Sequence, residues 1–340
     1  MAAGYAIEDY RPELAPELVA LWNAALGARF PLTARLWRQN VDEDPNRADG
    51  DGLIARAGDG AVAGFALTRM LRRDGAAVEG DLAALRDLGW IIGLVVGPEH
   101  AGQGLGGRLL GLAEGRLRGR GAMGCDPGGG VGHLLPGPPA GGEEDERALR
   151  FWVRHGYRPE RRVHDLRRSL ADWARPPPPA ALCEGGYRIV PGAPGEEGAV
   201  VDFLRRAFPG RWRYEVAEAF ARGGAAGDVL LVKDGAGTIE GFLCLWPFDG
   251  ALLGSGDHWF PALGPRFGAI GPLGVAASVR GRGLGLALVA EGVSELRRRG
   301  VEECVIDWTD LLDFYGRLGF RPWRSYWRCA VKPLAPAGGA

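Results

Sequence analysis

Two glycine-rich turns stand out as sites where this chain could do chemistry. Arg280-Gly281-Arg282-Gly283-Leu284-Gly285 sets glycine at alternate positions directly before an apolar helical stripe. Such a turn, between a strand and a helix N-terminus, aims backbone N–H groups and the positive helix end at one point. Glycine lets the main chain approach a ligand with no Cβ in the way. A diphosphate suits that geometry; a loop that needs glycine only to turn fits the same residues equally well. The pattern recurs at Ala101-Gly102-Gln103-Gly104-Leu105-Gly106, at the matching place of the first half. Repetition favours function, or descent from a functional unit. No lysine lies after either turn, which excludes a P-loop. The GxGxG spacing, several residues beyond Val275, also departs from a dinucleotide fingerprint. Asp307, about 20 residues on at a strand end, keeps an NAD-type oxidoreductase open as an alternative.

The elements that must position these turns come in two sets. Tyr5-Ala-Ile and Tyr187-Arg-Ile-Val each open a half as a short strand. Apolar residues at spacings of three and four then predict helices: Leu14, Leu18, Leu21 and Trp22 in one half, Val200, Phe203, Leu204 and Phe208 in the other. An apolar strand precedes each glycine turn, Trp90 to Val96 and Ala269 to Val275. The helices that follow carry stripes of Leu105, Leu109, Leu112, Ala113 and Leu117, and of Leu286, Val289, Ala290, Val293 and Leu296. Each half closes on a helix and turn, Phe151 to Tyr157 and Phe314 to Phe320. Pro176 to Pro179 mark a stiff linker. The expected domains are residues 1–171, a linker 172–186, and residues 187–334. Asp126 to Gly142, rich in glycine and proline, is expected as a surface loop.

The second half resembles the GNAT acetyltransferases. Arg280-x-x-Gly283-x-Gly285 matches that family's Arg/Gln-x-x-Gly-x-Gly/Ala signature, and Phe314-Tyr315-x-x-x-Gly319-Phe320 matches a second one at suitable distance. The first half resembles the family too, giving a tandem layout. The resemblance implies an α/β fold of two GNAT units, each a mixed central sheet flanked by helices. It implies an N-acetyltransferase that transfers directly from acetyl-CoA to a small-molecule amine in a ternary complex. It places the diphosphate on amides of Arg280, Gly281, Arg282, Gly283, Leu284, Gly285 and Leu286, beside the Val275 strand. It casts Tyr315 as the acid that protonates the departing thiolate. Asp307 is the leading candidate for the base, with Asp257, His258 and a water chain as alternatives. Trp308 stands where the family often has Asn. In the first half Gln103, Gly104 and Gly106 keep the turn, yet Ala101 replaces the Arg or Gln. Trp152 replaces the tyrosine, and indole is no general acid at neutral pH. That half is expected to be catalytically silent; holding CoA weakly, shaping the acceptor pocket and replacing the second subunit of a dimer are its alternative roles. A non-catalytic CoA-binding or regulatory protein is the competing class.

Composition narrows the field. The 340 residues suggest two domains at roughly 150 residues each. Charge balances, 42 acidic against 41 basic residues, so nothing argues for nucleic acid or an anionic membrane as partner. No apolar run reaches the roughly 18 residues of a membrane span. Residues 1–11 lack the pattern of a secretory signal. Five scattered cysteines, with no CxxC pair, argue against zinc or a disulfide scaffold; they fit small buried hydrophobes in a reduced cytoplasmic protein. Neither metal nor further cofactor is expected, and a monomer and a homodimer are both consistent.

Overall fold

The computed structural model describes residues 4–72, 82, 85–184 and 186–334. The chain forms two compact units, Met1–Val163 with Ser325–Ala340, and His164–Arg324. Both are mixed α/β, as expected.

In the first unit, β1 (Ala6–Asp9) leads into α1 (Ala15–Leu26) and α2 (Ala34–Trp37). β2 (Gly52–Arg56), β3 (Val62–Met70) and β4 (Leu88–Val96) follow; each strand pairs antiparallel with its predecessor. α3 (Leu105–Gly119) crosses to β5 (Gly124–Asp126), which lies parallel to β4, and α4 (Glu143–Arg154) comes next. Leu18 and Trp22 carry the buried face of α1. On α3 the stripe is Leu105, Leu109, Leu110, Ala113 and Leu117. Leu112, expected in the stripe, is 40% exposed. At 100° per residue, positions 110 and 112 flank the centre of the 105, 109, 113 and 117 stripe at equal angles, so period alone does not choose between them.

The second unit takes up His164–Ser169 of β6 (Arg158–Ser169). It continues through α5 (Ala180–Cys183), β7 (Arg188–Pro191), α6 (Glu197–Ala207), α7 (Arg211–Ala221), β8 (Val229–Lys233) and β9 (Ile239–Pro247). Next come β10 (Phe267–Val275), α8 (Leu284–Arg298), β11 (Glu303–Thr309), α9 (Leu312–Gly316) and β12 (Arg321–Ala330). The sheet runs β12-β6-β11-β10-β9-β8-β7. Leu284, Leu288, Val289, Val293 and Leu296 bury the inner face of α8 against it. Each such side chain contributes about 1.5–3 kcal/mol. The final strand, β13 (Lys332–Pro333), pairs with β5 and so returns to the first unit.

Among the described residues, β10 pairs with the parallel β11 only over Phe267–Ala269 and runs on to Val275 without a partner on that side. β4 does the same, pairing with β5 over Leu88–Trp90 and continuing to Val96. Each unit thus has two parallel strands that splay apart toward their C-terminal ends.

Two further expectations fail. The segment Asp126 to Gly142 is largely buried rather than on the surface. Gly130 lies flat on the Trp90 ring, where a Cβ would come within 2.5 Å of it. Asn40 donates to the His133 carbonyl at 2.9 Å, and Arg328 pairs with Asp126 at 2.8 Å. Glycine allowed the close packing that composition alone read as a loop. Cys183 is exposed, unlike the other four cysteines, because its short helix ends at the surface.

Candidate active site

The glycine turn of the second unit sits where β10 has lost its parallel neighbour. A short 3-10 turn, Ala277–Val279, leads to Arg280 in an extended conformation. Gly281 and Gly283 both have φ of +76°, a region costly for residues with a Cβ. Gly283 is the N-cap of α8 and offers no side chain to the helix amides. The first N–H to reach a carbonyl is that of Ala287, on Gly283 at 3.1 Å. Among the described residues, the amides of 281–286 donate to no backbone carbonyl. These are the unpaired donors of a helix start. Their direction and the dipole behind them fit a diphosphate. Arg280 Nε reaches back to the Val275 carbonyl at 3.3 Å, and Val275 closes the β9–β10 ladder opposite Gly241.

The proline-rich segment braces this turn. Arg297 donates to the carbonyls of Ala171 and Trp173, and the Trp173 indole donates to Ser294 at 3.0 Å. Arg175 pairs with Glu291 at 2.6 Å, and Pro179 reaches Gly283, where a Cβ would lie 3.0 Å from its ring. The segment therefore follows α8 from its C-terminal end to its N-terminal turn. An extended proline run, about 3.1 Å per residue, spans that length.

Tyr315 and Asp307 occupy the splayed end. Tyr315 is 6% exposed and packs edge-on between Phe314 and Phe320, at 4.9 and 6.4 Å. Its hydroxyl makes no hydrogen bond among the described residues. Burial, and then the charge of Asp307, hold the phenol above its ordinary range, so it stays protonated at neutral pH. Asp307 is half-buried on β11, in a register break between Ile306 and Thr309. Its carboxylate faces Gly271 of β10; a Cβ there would lie 3.6 Å away. Burial and the Asp165 carboxylate push Asp307 up to about 7, with Arg211 opposing and Glu215 adding. A carboxylate that titrates near neutrality is suited to take up a proton.

The other base candidates are placed differently. Asp257 is wholly buried and accepts the Gly254 N–H at 3.4 Å, and His258 is 3% exposed. Their elements turn them into the interior. Arg211 and Asp165 carried no local sequence signal, since they come to Asp307 from a helix and a strand far along the chain. Asp165 accepts the Trp308 N–H at 3.2 Å.

The first unit repeats the turn and not the chemistry. Gly102 and Gly104 have φ of +76° and +83°, and the first amide to find a carbonyl is that of Arg108, on Gly104. Gln103 is held by Tyr5 at 3.1 Å and itself donates to the Glu99 carbonyl. Gly106 lies under Phe151, as Gly285 lies near Phe314. Trp152 fills the position of Tyr315 and packs edge-on against Tyr157 at 5.0 Å. Tyr157 itself is spent on Glu114 and Cys125.

Comparison with known proteins agrees with this geometry. The model of the acetyltransferase (GNAT) family matches residues 15–126 and 198–320. A mycothiol acetyltransferase of Actinosynnema mirum is 31% identical over 58% of this chain and 68% of its own length. A solved glucosamine N-acetyltransferase region of a fungal multi-domain β-N-acetylglucosaminidase superposes at a TM-score of 0.85 and 25% identity, over 97% of this chain and 38% of that one. A tandem GNAT protein from the clavulanic acid biosynthesis pathway matches at a TM-score of 0.67 and 19% identity, over 98% and 100%. Among the described residues no cluster able to hold a metal occurs, and no helix is long and apolar enough to cross a membrane.

Proposed function

This chain belongs to the GNAT acetyltransferase family in a tandem arrangement, and from that premise we propose that its second half acetylates a small-molecule amine directly, within a ternary complex. One observation carries the reading. Among the described residues, only the second unit combines an open amide turn with a protonated phenol and a carboxylate that titrates near 7.

Acetyl-CoA supplies the activated acetyl group. The amides of 281–286 hold its diphosphate, with Arg280 and Arg282 at the rim and Val275 alongside. Asp307 takes up the proton of the bound ammonium, and the neutral amine that results attacks the thioester carbon, forming the amide C–N bond as the C–S bond breaks. The Tyr315 hydroxyl donates to the leaving sulfur. Because the phenol stays neutral, it serves as donor throughout the working pH range. Residues 187–324 form the catalytic half in this reading, since Ser325 onward belongs to the first unit. Residues up to Val163 form a degenerate half whose Gln103, Gly104 and Gly106 keep an anion-binding shape, and 172–186, within the second unit, brace the catalytic turn.

The acceptor is read from its surroundings. Asp165, Glu215 and Asp307 give the splayed end a negative balance, with Trp308 and Trp246 as apolar walls. Such a site suits a cationic amine. The likeness to a glucosamine N-acetyltransferase region and to mycothiol acetyltransferases supports an amine on a small polar molecule such as an amino sugar. Thiol release from acetyl-CoA, measured against amino sugars, polyamines, amino acids and aminoglycosides, tests this. Turnover with at least one amino sugar is expected. Tight CoA binding without release across the whole panel would replace the reading by a CoA-binding protein without catalysis.

A further inference from the structure

Trp308 sits in a conformation that needs a cause. It is the one residue other than glycine with positive φ, +50°, among the described residues. A left-handed backbone under a bulky side chain is strained and persists only when neighbours enforce it. Two neighbours do so. Asp165 on β6 takes the Trp308 N–H, and Arg211 on α7 stacks its guanidinium 3.9 Å above the indole. Glu215, one helical turn on, holds Arg211 Nε at 2.5 Å. Gly210, with φ of +104°, caps α7 just before Arg211 and sets the entry of that helix.

We propose that Arg211 is a positioning residue for Asp307: clamped between Glu215 and the Trp308 ring, it fixes the bulge from which the carboxylate faces the splayed end of β10. The inference rests on the reading of Asp307 as the base. Planarity matters, because a guanidinium can stack and pair at once where an ammonium cannot. The stack also presents a positive charge to Asp307. The charged and titratable groups that face Asp307 are Asp165 on β6, Arg211 and Glu215 on α7, and Tyr315 on α9. Arg211 is the only cation of the set. Removing it leaves three carboxylates together, and an opposing charge at this range moves a carboxylate by about one to three pH units.

The test is the pH profile of turnover under saturating acetyl-CoA. R211Q is expected to move the acid inflection upward by about one unit or more, with turnover recovering at high pH. E215Q removes a carboxylate and is expected to move the inflection downward. A purely structural role would shift neither, or would depress turnover equally at every pH. If R211Q fails to fold, E215Q and R211K decide: R211K keeps the charge and loses the flat stack, so its inflection stays near wild type while turnover falls. An unmoved inflection in E215Q, or both Gln variants moving it the same way, overturns the proposal. D307N separates the two levels. If D307N keeps full turnover, the base reading falls and this proposal with it. If D307N abolishes the inflection while E215Q and R211Q leave that of the wild type in place, only the positioning role falls.

Discussion

Tyr315→Phe is expected to lower turnover by about 10²-fold or more, the scale of losing general-acid help, while acetyl-CoA binding and the melting temperature stay near wild type. The phenol oxygen has no hydrogen-bond partner among the described residues, so its removal leaves no buried group unsatisfied. The ring contacts with Phe314 and Phe320 survive in Phe. Activity and stability therefore separate, which a packing role would not allow. Trp152→Phe in the first unit is the control. Its indole packs on Phe151 and Tyr157 and has no proton to give at neutral pH. That variant is expected to keep turnover within about twofold, the range of an indirect packing change that reaches no reacting group. Steady-state thiol release and thermal melts on both variants check the pair. Equal turnover in Tyr315→Phe and wild type would remove the phenol from the mechanism.

Asp307→Asn is expected to cost about 10²–10⁴-fold in turnover and to erase the inflection near 7. The sign follows from the folded protein, where burial and then Asp165 raise this carboxyl from the ordinary Asp range to about 7. Between those limits the folded state holds a proton that the unfolded chain has lost. Stability from this group is present below the ordinary Asp range and declines as pH rises toward 7. At pH 8 the ionised carboxylate costs the fold free energy, and a neutral Asn does not. Asp307→Asn should therefore melt higher than wild type at pH 8 while turning over far more slowly. Thermal melts beside a pH–rate profile check both halves. A variant that is less stable at pH 8 and retains the inflection would show that Asp307 is an ordinary structural carboxylate.

How much of this was legible in the residues depends on distance along the chain. The glycine turns were legible because their geometry is local. Gly102 and Gly104 take the same left-handed angles as Gly281 and Gly283, and only glycine does so at no steric cost. The helical faces were legible from period, apart from Leu112 on α3 and Leu286 on α8, where extra apolar residues made each stripe ambiguous and Leu110, Leu284 and Leu288 took the buried places. The buried course of Asp126 to Gly142 was hidden, because glycine and proline in a surface loop and in a tightly packed one share a composition. The brace along α8 was hidden for another reason. Proline content gives stiffness, but Arg175, Trp173 and Pro179 find Glu291, Ser294 and Gly283 only once the helix is in place. The setting of Asp307 is the extreme case. Asp165 lies 142 positions before it and Arg211 lies 96 before it, and no spacing rule links them.

The central claim is that main-chain donors at the start of α8 grip the diphosphate of CoA. Amide hydrogen exchange followed by mass spectrometry addresses it directly, because it reads those N–H groups and not turnover. Saturating CoA should slow exchange in peptides covering residues 281–286, and NAD(H) at the same concentration should leave them unchanged. Free exchange at 281–286 in the presence of bound CoA, with protection elsewhere, would contradict it.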